Sequence, residues 1–256
     1  MAQLRALIFD VDGTLADTER DGHRVAFNQA FAVSGLDWQW SIDRYRDLIE
    51  QIAGGKERIL AYREQYHPTF VPETDLKTFA AQLHQLKTAQ YKQLLMAGTI
   101  PLRPGVQRLL KEALEQEIRL AIATTSAPAN AIALLEQTLG SDSPTWFEVI
   151  AAGDIVPVKK PAPDIYQYVL QILDLPASDC LAIEDSQQGL LAAHRAGLST
   201  VVTVNPYTQH QDFAQAVLVL DHLGEPDCPF TVLAGEIKDA TYFDIALART
   251  IVASQA

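Results

Sequence analysis

Short apolar segments alternate along the chain with segments whose apolar residues recur at helical spacing. The apolar segments are residues 6–9, 120–124, 148–153, 180–185, 200–204 and 216–221. Several of them are apolar throughout rather than at every second position, which is typical of strands buried on both faces of a sheet. The helix-type segments between them include residues 105–116, 162–174 and 188–197. This alternation predicts an α/β fold, in which a parallel sheet carries helices on both of its faces.

The interval from residue 16 to about residue 100 contains helical patterns but no good strand pattern. The clearest helical patterns are residues 21–35 and 75–98, and the second ends at a glycine, as helices often do. A separate N-terminal helical bundle would leave the first strand without a sheet to join. We therefore expect a helical cap of residues 16–100, inserted into a core of residues 1–15 and 101–256 through hinges near residues 15–18 and 98–104.

The composition is that of a globular protein and limits the kinds of partner. Of the 256 residues, 48% are hydrophobic, and no window approaches the roughly eighteen apolar residues that a membrane span needs. The 32 acidic residues outnumber the 20 basic ones, and the net charge of −12 disfavours nucleic acid as a partner. No secretory signal is recognisable, and Cys180 and Cys228 lack metal spacing. We expect a cytoplasmic monomer without disulfides that binds neither nucleic acid nor membranes.

Acidic residues follow two of the predicted strands, at the edge where doubly wound sheets bind ligands. Asp10 and Asp12 come directly after the first strand, and Glu184 and Asp185 end the strand that begins near residue 180. Because Asp10 and Asp12 are two positions apart on extended chain, their side chains project to the same side. Carboxylates this close raise each other's pKa or require a counter-ion, and Mg²⁺ prefers oxygen ligands. The four residues are therefore candidate magnesium ligands.

Hydroxyl and ammonium groups follow two further strands at the same edge. Thr124 ends the strand near residue 120, and Thr125 and Ser126 come next as candidate substrate-binding residues. A phosphorylated substrate would be repelled by the net charge of the protein, so it requires local cations. Lys160 is a candidate for this role, and its position directly before a proline favours it over its neighbour Lys159.

Four motifs occur in order along the chain: D-x-D-G-T after the first strand, a threonine after the second, Lys-Pro further on, and Glu-Asp at a later strand. Together they resemble the haloacid dehalogenase superfamily of phosphotransferases. The "DTE" after the first motif, the helical insertion and "KKPAPDIY" resemble its β-phosphoglucomutase-like branch. Within that branch, "GGKERI", "NQAF", "AAGD" and "EDS" are most similar to CbbY-type sugar-bisphosphate phosphatases of photosynthetic carbon fixation. The similarity covers about residues 4–220.

The resemblance implies a Rossmann-like phosphatase core and a role for each core motif. Asp10 is similar to the nucleophile that attacks phosphorus to form an aspartyl-phosphate. Asp12 matches the general acid that protonates the leaving sugar oxygen and then activates water. Thr124 and Lys160 resemble the residues that hold and neutralise the transferring phosphoryl group. The implied Mg²⁺ ligands are Asp10, the backbone carbonyl of Asp12, Glu184 and Asp185.

The resemblance also implies substrate-binding residues in the cap. Lys56 lies where related enzymes carry a basic residue for the second phosphate, and Arg58 is close by, although both could be solvated helix-start charges. Lys87 is similar to a lysine that approaches the active site on closure, with a plain surface lysine as the alternative. His23 resembles a histidine that senses closure, but one extra residue separates it from the first motif. Glu19 of the "DTE" motif completes the set.

The sequence thus predicts a Mg²⁺-dependent phosphatase that acts on a small sugar bisphosphate, such as xylulose 1,5-bisphosphate. The resemblance to this family implies a repair role in carbon fixation. The expected location of the protein is then either the cytoplasm or the plastid stroma. Three other functions stay open at this point. They are a phosphomutase with the same catalytic residues, a phosphatase of phosphoglycolate or another monophosphate, and a non-catalytic phosphosugar-binding protein.

Overall fold

Apolar strands form a seven-stranded sheet in the computed structural model, which describes residues 3–52, 54–237 and 240–254. The strands are β1 (Ala6–Phe9), β2 (Arg119–Thr124), β3 (Phe147–Ala152), β4 (Cys180–Glu184), β5 (Ser199–Thr203), β6 (Leu218–Leu220) and β7 (Val232–Ala234). Their order is β3-β2-β1-β4-β5-β6-β7, and all neighbours are parallel except β6 and β7. The predicted α/β fold class is confirmed.

Strands β1 to β6 lie where the apolar segments predict them, to within two residues at each end. The reason is their burial: β1 is inaccessible to solvent along its whole length, and so is β4, its neighbour in the sheet. Strand β7 was not predicted from the sequence. It is a three-residue antiparallel edge strand, all of it exposed, so no burial pattern marks it in the sequence.

The chain forms two compact units, Met1–Asp17 with Pro101–Ala256 and Thr18–Ile100. The unit boundaries lie within the two segments predicted as hinges. In the second unit, a π-helix (Thr18–His23) leads into α1 (Arg24–Val33) and is followed by α2 (Ile42–Gln51), α3 (Gly55–Tyr66) and α4 (Leu76–Met96). Its interior is aromatic, with the Phe27 and Trp40 ring centroids 4.5 Å apart. The role of this helical unit as a cap stays a prediction.

The first unit carries the helices that cover the sheet. They are α5 (Val106–Glu115), α6 (Pro128–Leu139), α7 (Asp164–Leu173), α8 (Gln187–Arg195) and α9 (Ile245–Ser254). Helix α7 buries Ile165, Tyr166 and Val169 among residues of β1, β2 and β4. Within the described ranges, no helix combines the length and the apolar character needed to cross a membrane.

Arg103 connects the loop after β1 by hydrogen bonds to the ends of β5 and β6 in the same unit. It is 8% exposed, and its guanidinium donates hydrogen bonds to the backbone carbonyls of Gly13, Thr203, Val204 and Asp221. Its backbone N–H donates to Leu15 O at 2.8 Å. A planar guanidinium with five donors suits such a set of acceptors. Sequence reasoning did not single out this arginine, because its partners are far away along the chain.

Candidate active site

The carboxyl ends of β1 and β4 bring acidic side chains together in the middle of the sheet. Phe9 pairs with Ile183, so Asp10 and Glu184 leave the sheet at the same level. Strand β2 lies on the other side of β1, and such a reversal of strand order leaves a crevice for ligands. Asp10, Glu184 and Asp185 are buried here, and each presents an oxygen atom within 4.8 Å of the others. Three of the four predicted acidic residues therefore form one cluster.

Asp12 lies in the loop that follows β1 and is half-buried. It is close enough to Asp10 for its charge to contribute to the raised pKa of that carboxyl. Such proximity to Asp10 is what an acid–base partner of Asp10 requires. Its acid–base role, and the use of its backbone carbonyl as a metal ligand, stay predictions.

Lys160 lies between two carboxylates of the cluster. Its Nζ donates to Asp10 Oδ1 at 2.7 Å, to Glu184 Oε1 at 2.6 Å and to Ala123 O at 2.8 Å, which uses all three ammonium protons. Burial favours the neutral amine, but the two carboxylates outweigh burial and hold the pKa of Lys160 above its ordinary value. A permanent positive charge therefore faces Asp10. Lys159, by contrast, is exposed and pairs with Asp154 at 2.8 Å.

Glu184 is completely buried, and its carboxylate is held from several sides. Besides Lys160, Oε1 accepts a hydrogen bond from the Tyr166 hydroxyl at 2.5 Å. The carboxylate also lies directly over Gly189 in α8, where an added Cβ would come within 2.0 Å of it. Sequence reasoning missed both Tyr166 and Gly189. Tyr166 stands in the quoted "KKPAPDIY" motif, but nothing local shows that its hydroxyl reaches a strand end.

Asp185 is held by a residue from the loop after β5 and by a glycine of the first motif. Asn205 Nδ2 donates to Asp185 Oδ2 at 2.7 Å. Gly13 has φ +91°, and a Cβ there would lie 2.2 Å from the same oxygen. The glycine of D-x-D-G-T is thus required both by its backbone conformation and by the close approach of Asp185. Asn205 is a further residue that sequence reasoning missed.

The electrostatics of the cluster call for a cation in addition to Lys160. Burial raises the pKa of Asp10 to about 7, although the charge of Lys160 acts in the opposite direction. Burial likewise raises the pKa of Asp185 well above its ordinary value, and the charges of Asp10 and Glu184 add to this. Three ionised carboxylates and one ammonium leave two negative charges unbalanced. An all-oxygen donor set with excess negative charge fits a hard divalent cation, which Asp10, Asp185 and Glu184 could hold.

The hydroxyl residues after β2 lie in the turn that leads to α6. Thr124 is buried, and its Oγ1 accepts a hydrogen bond from the backbone N–H of Ser126 at 3.1 Å. Since the oxygen acts as the acceptor, its own proton can still be donated to a phosphate oxygen. Thr125 is exposed and Ser126 is half-buried. Their contact with substrate stays a prediction.

Within the helical unit, the buried Lys87 lies against the half-buried His23. Lys87 is 9% exposed, and its Nζ lies 2.8 Å from His23 Nδ1 and 5.1 Å from the centre of the Phe27 ring. The His23 ring lies 3.9 Å from that of Tyr91, measured between ring centroids. The alternative that Lys87 is a plain surface lysine is therefore wrong. Its helix position is buried because α4 packs against α1, which periodicity within α4 alone does not show.

The remaining candidates of the helical unit lie near α2 and α3. Glu19 Oε2 accepts a hydrogen bond from the Tyr45 hydroxyl at 2.7 Å. Arg58 donates from Nε to the backbone carbonyl of Ile52 at 2.9 Å, whereas Lys56 is exposed in the first turn of α3. Burial lowers the pKa of His84, and the nearby charges of Lys87, Lys56 and Arg58 lower it further. Each of the three predicted cations of this unit is thus near enough to His84 to affect its pKa, and the charge of Glu57 acts in the opposite direction.

The close approach of Glu184 to Gly189 yields a first prediction. Gly189→Ala places a methyl group where the Glu184 carboxylate lies, so the carboxylate must leave its position and its contacts with Lys160 and Tyr166 must change. We expect kcat for phosphate release to fall by roughly 10- to 100-fold, because a misplaced ion pair costs a few kcal/mol at the transition state. Gln188→Ala, an exposed change in the same helix turn, is the matched control. Equal rates for both variants would contradict the prediction.

Family comparison agrees with this fold and site. The model of the haloacid dehalogenase-like hydrolases matches residues 4–197. The chain therefore belongs to the haloacid dehalogenase-like hydrolase family, and the superfamily resemblance of its four motifs is confirmed.

Individual relatives narrow the similarity to CbbY proteins. The chain is 49% identical over 226 residues to the plasmid CbbY protein of Cupriavidus necator, with 88% of each chain covered. It is also 49% identical over 214 residues to CbbY of Rhodobacter capsulatus, with 84% of this chain and 91% of that protein covered. A crystal structure of a CbbY mutant from Rhodobacter sphaeroides in complex with xylulose-(1,5)bisphosphate is similar at a TM-score of 0.69 and 43% identity. The similarity covers 86% of this chain and 94% of that one. The predicted resemblance to CbbY is confirmed.

Proposed function

We propose that this hydrolase removes one phosphate group from a small sugar bisphosphate, through a covalent intermediate on Asp10 and with Mg²⁺ as cofactor. The chain is a phosphoric monoester hydrolase by its family and by relatives that are named phosphatases. The observation that carries the finer proposal is the contact of Lys160 with Asp10 inside a buried carboxylate cluster. Xylulose 1,5-bisphosphate is the first substrate to test, because the similar CbbY structure contains it.

The chemistry assigned to the core residues proceeds in two displacements at phosphorus. A carboxylate oxygen of Asp10 bonds to phosphorus while the bond between phosphorus and the sugar oxygen breaks, and Asp12 donates a proton to that oxygen. Water, deprotonated by Asp12, then attacks the aspartyl-phosphate and releases inorganic phosphate, which restores Asp10. Lys160, through its charge, and Thr124, through its hydroxyl proton, offset the negative charge of the equatorial oxygens. Bound Mg²⁺ would neutralise the remaining charge of the carboxylates and the phosphoryl group.

The cations of the helical unit are assigned to the other phosphate of the substrate. Lys87, Lys56 and Arg58 lie close enough to His84 for their charges to lower its pKa, in a protein whose net charge is otherwise strongly negative. Glu57 offsets part of this positive charge, and a bound anion would offset the rest. A sugar bisphosphate provides a second phosphate for this role, whereas a hexose 1-phosphate has no second anionic group. A role in clearing inhibitory sugar bisphosphates during carbon fixation, the cytoplasmic location and the monomeric state are part of the same proposal.

Phosphate release from a panel of substrates tests the proposed function. The panel contains xylulose 1,5-bisphosphate, hexose 1-phosphates and phosphoglycolate, each with and without Mg²⁺. We expect the bisphosphate to give the highest kcat/KM and EDTA to abolish release. A higher kcat/KM for phosphoglycolate would contradict the bisphosphate assignment but not the hydrolase family. Isomerised sugar phosphate without free phosphate would identify a phosphomutase instead.

Replacement of Lys56 tests the assignment of the second phosphate. For Lys56→Ala we expect kcat/KM for the bisphosphate to fall about tenfold, the effect of losing one partly solvated charge–phosphate contact. The value for a hexose 1-phosphate should stay the same, since it has no second anionic group for Lys56 to bind. Lys77→Ala is the matched control, because Lys77 is likewise exposed in the first turn of a helix of this unit. An unchanged bisphosphate preference in Lys56→Ala would remove Lys56 from the site.

A further inference from the structure

Tyr166 is a completely buried residue of α7 whose hydroxyl reaches the carboxylate cluster. It donates to Glu184 Oε1 at 2.5 Å, the same oxygen that accepts from Lys160 Nζ at 2.6 Å. Lys160 Nζ also lies 5.2 Å from the centre of the Tyr166 ring. Burial raises the pKa of Tyr166 well above its ordinary value, and the charge of Glu184 adds to this. The hydroxyl thus uses its one proton in the contact with Glu184.

The two oxygens of Glu184 are held with unequal strength. Oε1 has two short contacts, from Lys160 and Tyr166, whereas the contacts of Oε2 with the Asp185 backbone N–H and the Ser186 hydroxyl measure 3.3 and 3.5 Å. Hydrogen bonds to a charged acceptor are stronger when they are short. The orientation of the carboxylate therefore depends mainly on Oε1 and its two donors.

The two donors differ in how firmly the fold holds them. Lys160 has a flexible four-carbon stem, so its ammonium lies wherever its acceptors place it. Tyr166, in contrast, is a rigid ring within the apolar layer between α7 and the sheet, where Ile165 and Val169 pack beside it. Tyr166 is therefore the donor that can hold Glu184, and Glu184 in turn can hold Lys160.

We propose that the Tyr166 hydroxyl is a positioning group, which fixes Glu184 so that Lys160 stays directed at Asp10. The inference rests on the proposed phosphatase function, because it assigns Lys160 to the reacting phosphoryl group. Tyr166 itself touches neither substrate nor the attacking oxygen. Without its hydroxyl, Glu184 Oε1 would keep Lys160 as its one short partner and the carboxylate would be free to turn, so Lys160 would shift with it relative to Asp10.

Tyr166→Phe tests this arrangement, because it removes the hydroxyl and keeps the ring. We expect kcat to fall about tenfold, as loss of one hydrogen bond to a buried charge predicts. KM should stay within roughly twofold of the wild-type value, since the contacts with the rest of the substrate are unchanged. The assay uses whichever phosphate ester the wild type hydrolyses fastest. Tyr168→Phe, a half-buried tyrosine of the same helix, is the matched control and should leave both constants unchanged.

A second readout requires no turnover and separates this inference from the proposed function. The buried ammonium of Lys160 should give a slowly exchanging ¹⁵N–¹H signal, which is assigned by its absence from Lys160→Met. We expect the signal to shift or broaden in Tyr166→Phe and to stay unchanged in Tyr168→Phe.

In a Glu184→Gln background the added Tyr166→Phe change should alter kcat by less than about twofold, because the two residues act through one contact. An unchanged Lys160 signal in Tyr166→Phe would overturn the proposal. It would also be overturned if Tyr166→Phe lowered kcat as much in the Glu184→Gln background as in the wild type.

Discussion

Asp10→Asn is expected to abolish phosphate release, with kcat lowered by on the order of a thousandfold or more. An amide cannot take the place of the carboxylate in an acyl-phosphate, so the covalent step has no nucleophile. The substitution also removes the charged partner of Lys160, which lies 2.7 Å from Asp10 Oδ1. The rate of phosphate release from the best sugar bisphosphate checks this expectation. The enzyme concentration is set high enough for a residual rate to exceed the uncatalysed background rate.

The covalent step also leaves a product that can be detected. Rapid quenching of the wild type with substrate should yield a protein species heavier by one phosphoryl group, located on the peptide that contains Asp10. Asp10→Asn should yield none. The matched control is Asp142→Asn, an equally small change at an exposed aspartate of the same unit. Release by Asp10→Asn at a rate near that of the wild type would show that the covalent mechanism is wrong.

Lys160→Met is expected to lower kcat by roughly a hundredfold or more, because the phosphoryl group loses a buried permanent charge. The same change leaves Asp10 and Glu184 facing each other without the ammonium that now separates them. Removal of one partner from a buried charge cluster typically costs about 3–5 kcal/mol of unfolding free energy. Urea unfolding in EDTA, with no divalent cation to substitute for the lysine, measures this loss.

The neighbouring lysine provides the control for this experiment. Lys159 is exposed and pairs only with the exposed carboxylate of Asp154. A surface ion pair contributes between zero and about 1 kcal/mol, so Lys159→Met should behave as the wild type does in both assays. If the two methionine variants lose activity equally, the assignment of the phosphoryl-group cation to Lys160 rather than Lys159 does not hold.

Most of the sheet could be predicted because its burial is visible in the residues themselves. Strand β1 and the first four residues of β4 are apolar at every position, and all of them are buried. The same logic located the site: the carboxyl ends of parallel strands meet at one edge, so Asp10 and Glu184 had to come close. Strand β7 was missed for the complementary reason, since an exposed edge strand has no apolar signature.

The residues that sequence reasoning missed share one property. Tyr166 reaches Glu184, Asn205 reaches Asp185, and Arg103 reaches the backbone of the loop after β1, in each case across a long stretch of chain. Polar side chains of this kind do not disturb local periodicity, so no local pattern marks them. Lys87 was misjudged as a possible surface residue for the same reason, because its burial depends on a neighbouring helix.

The linear order of residues thus predicts the kind of chemistry, because the proposed nucleophile, acid and cation follow strands that meet through parallel pairing. The orientation of those groups is a matter of packing. Glu184 points at Lys160 because Gly189 leaves room for its carboxylate and Tyr166 donates to it. Such contacts form only when segments remote in sequence are positioned to within a few tenths of an ångström of each other's required place. Only the folded chain brings those segments together, and so the positioning residues emerge from the structure rather than from the motifs.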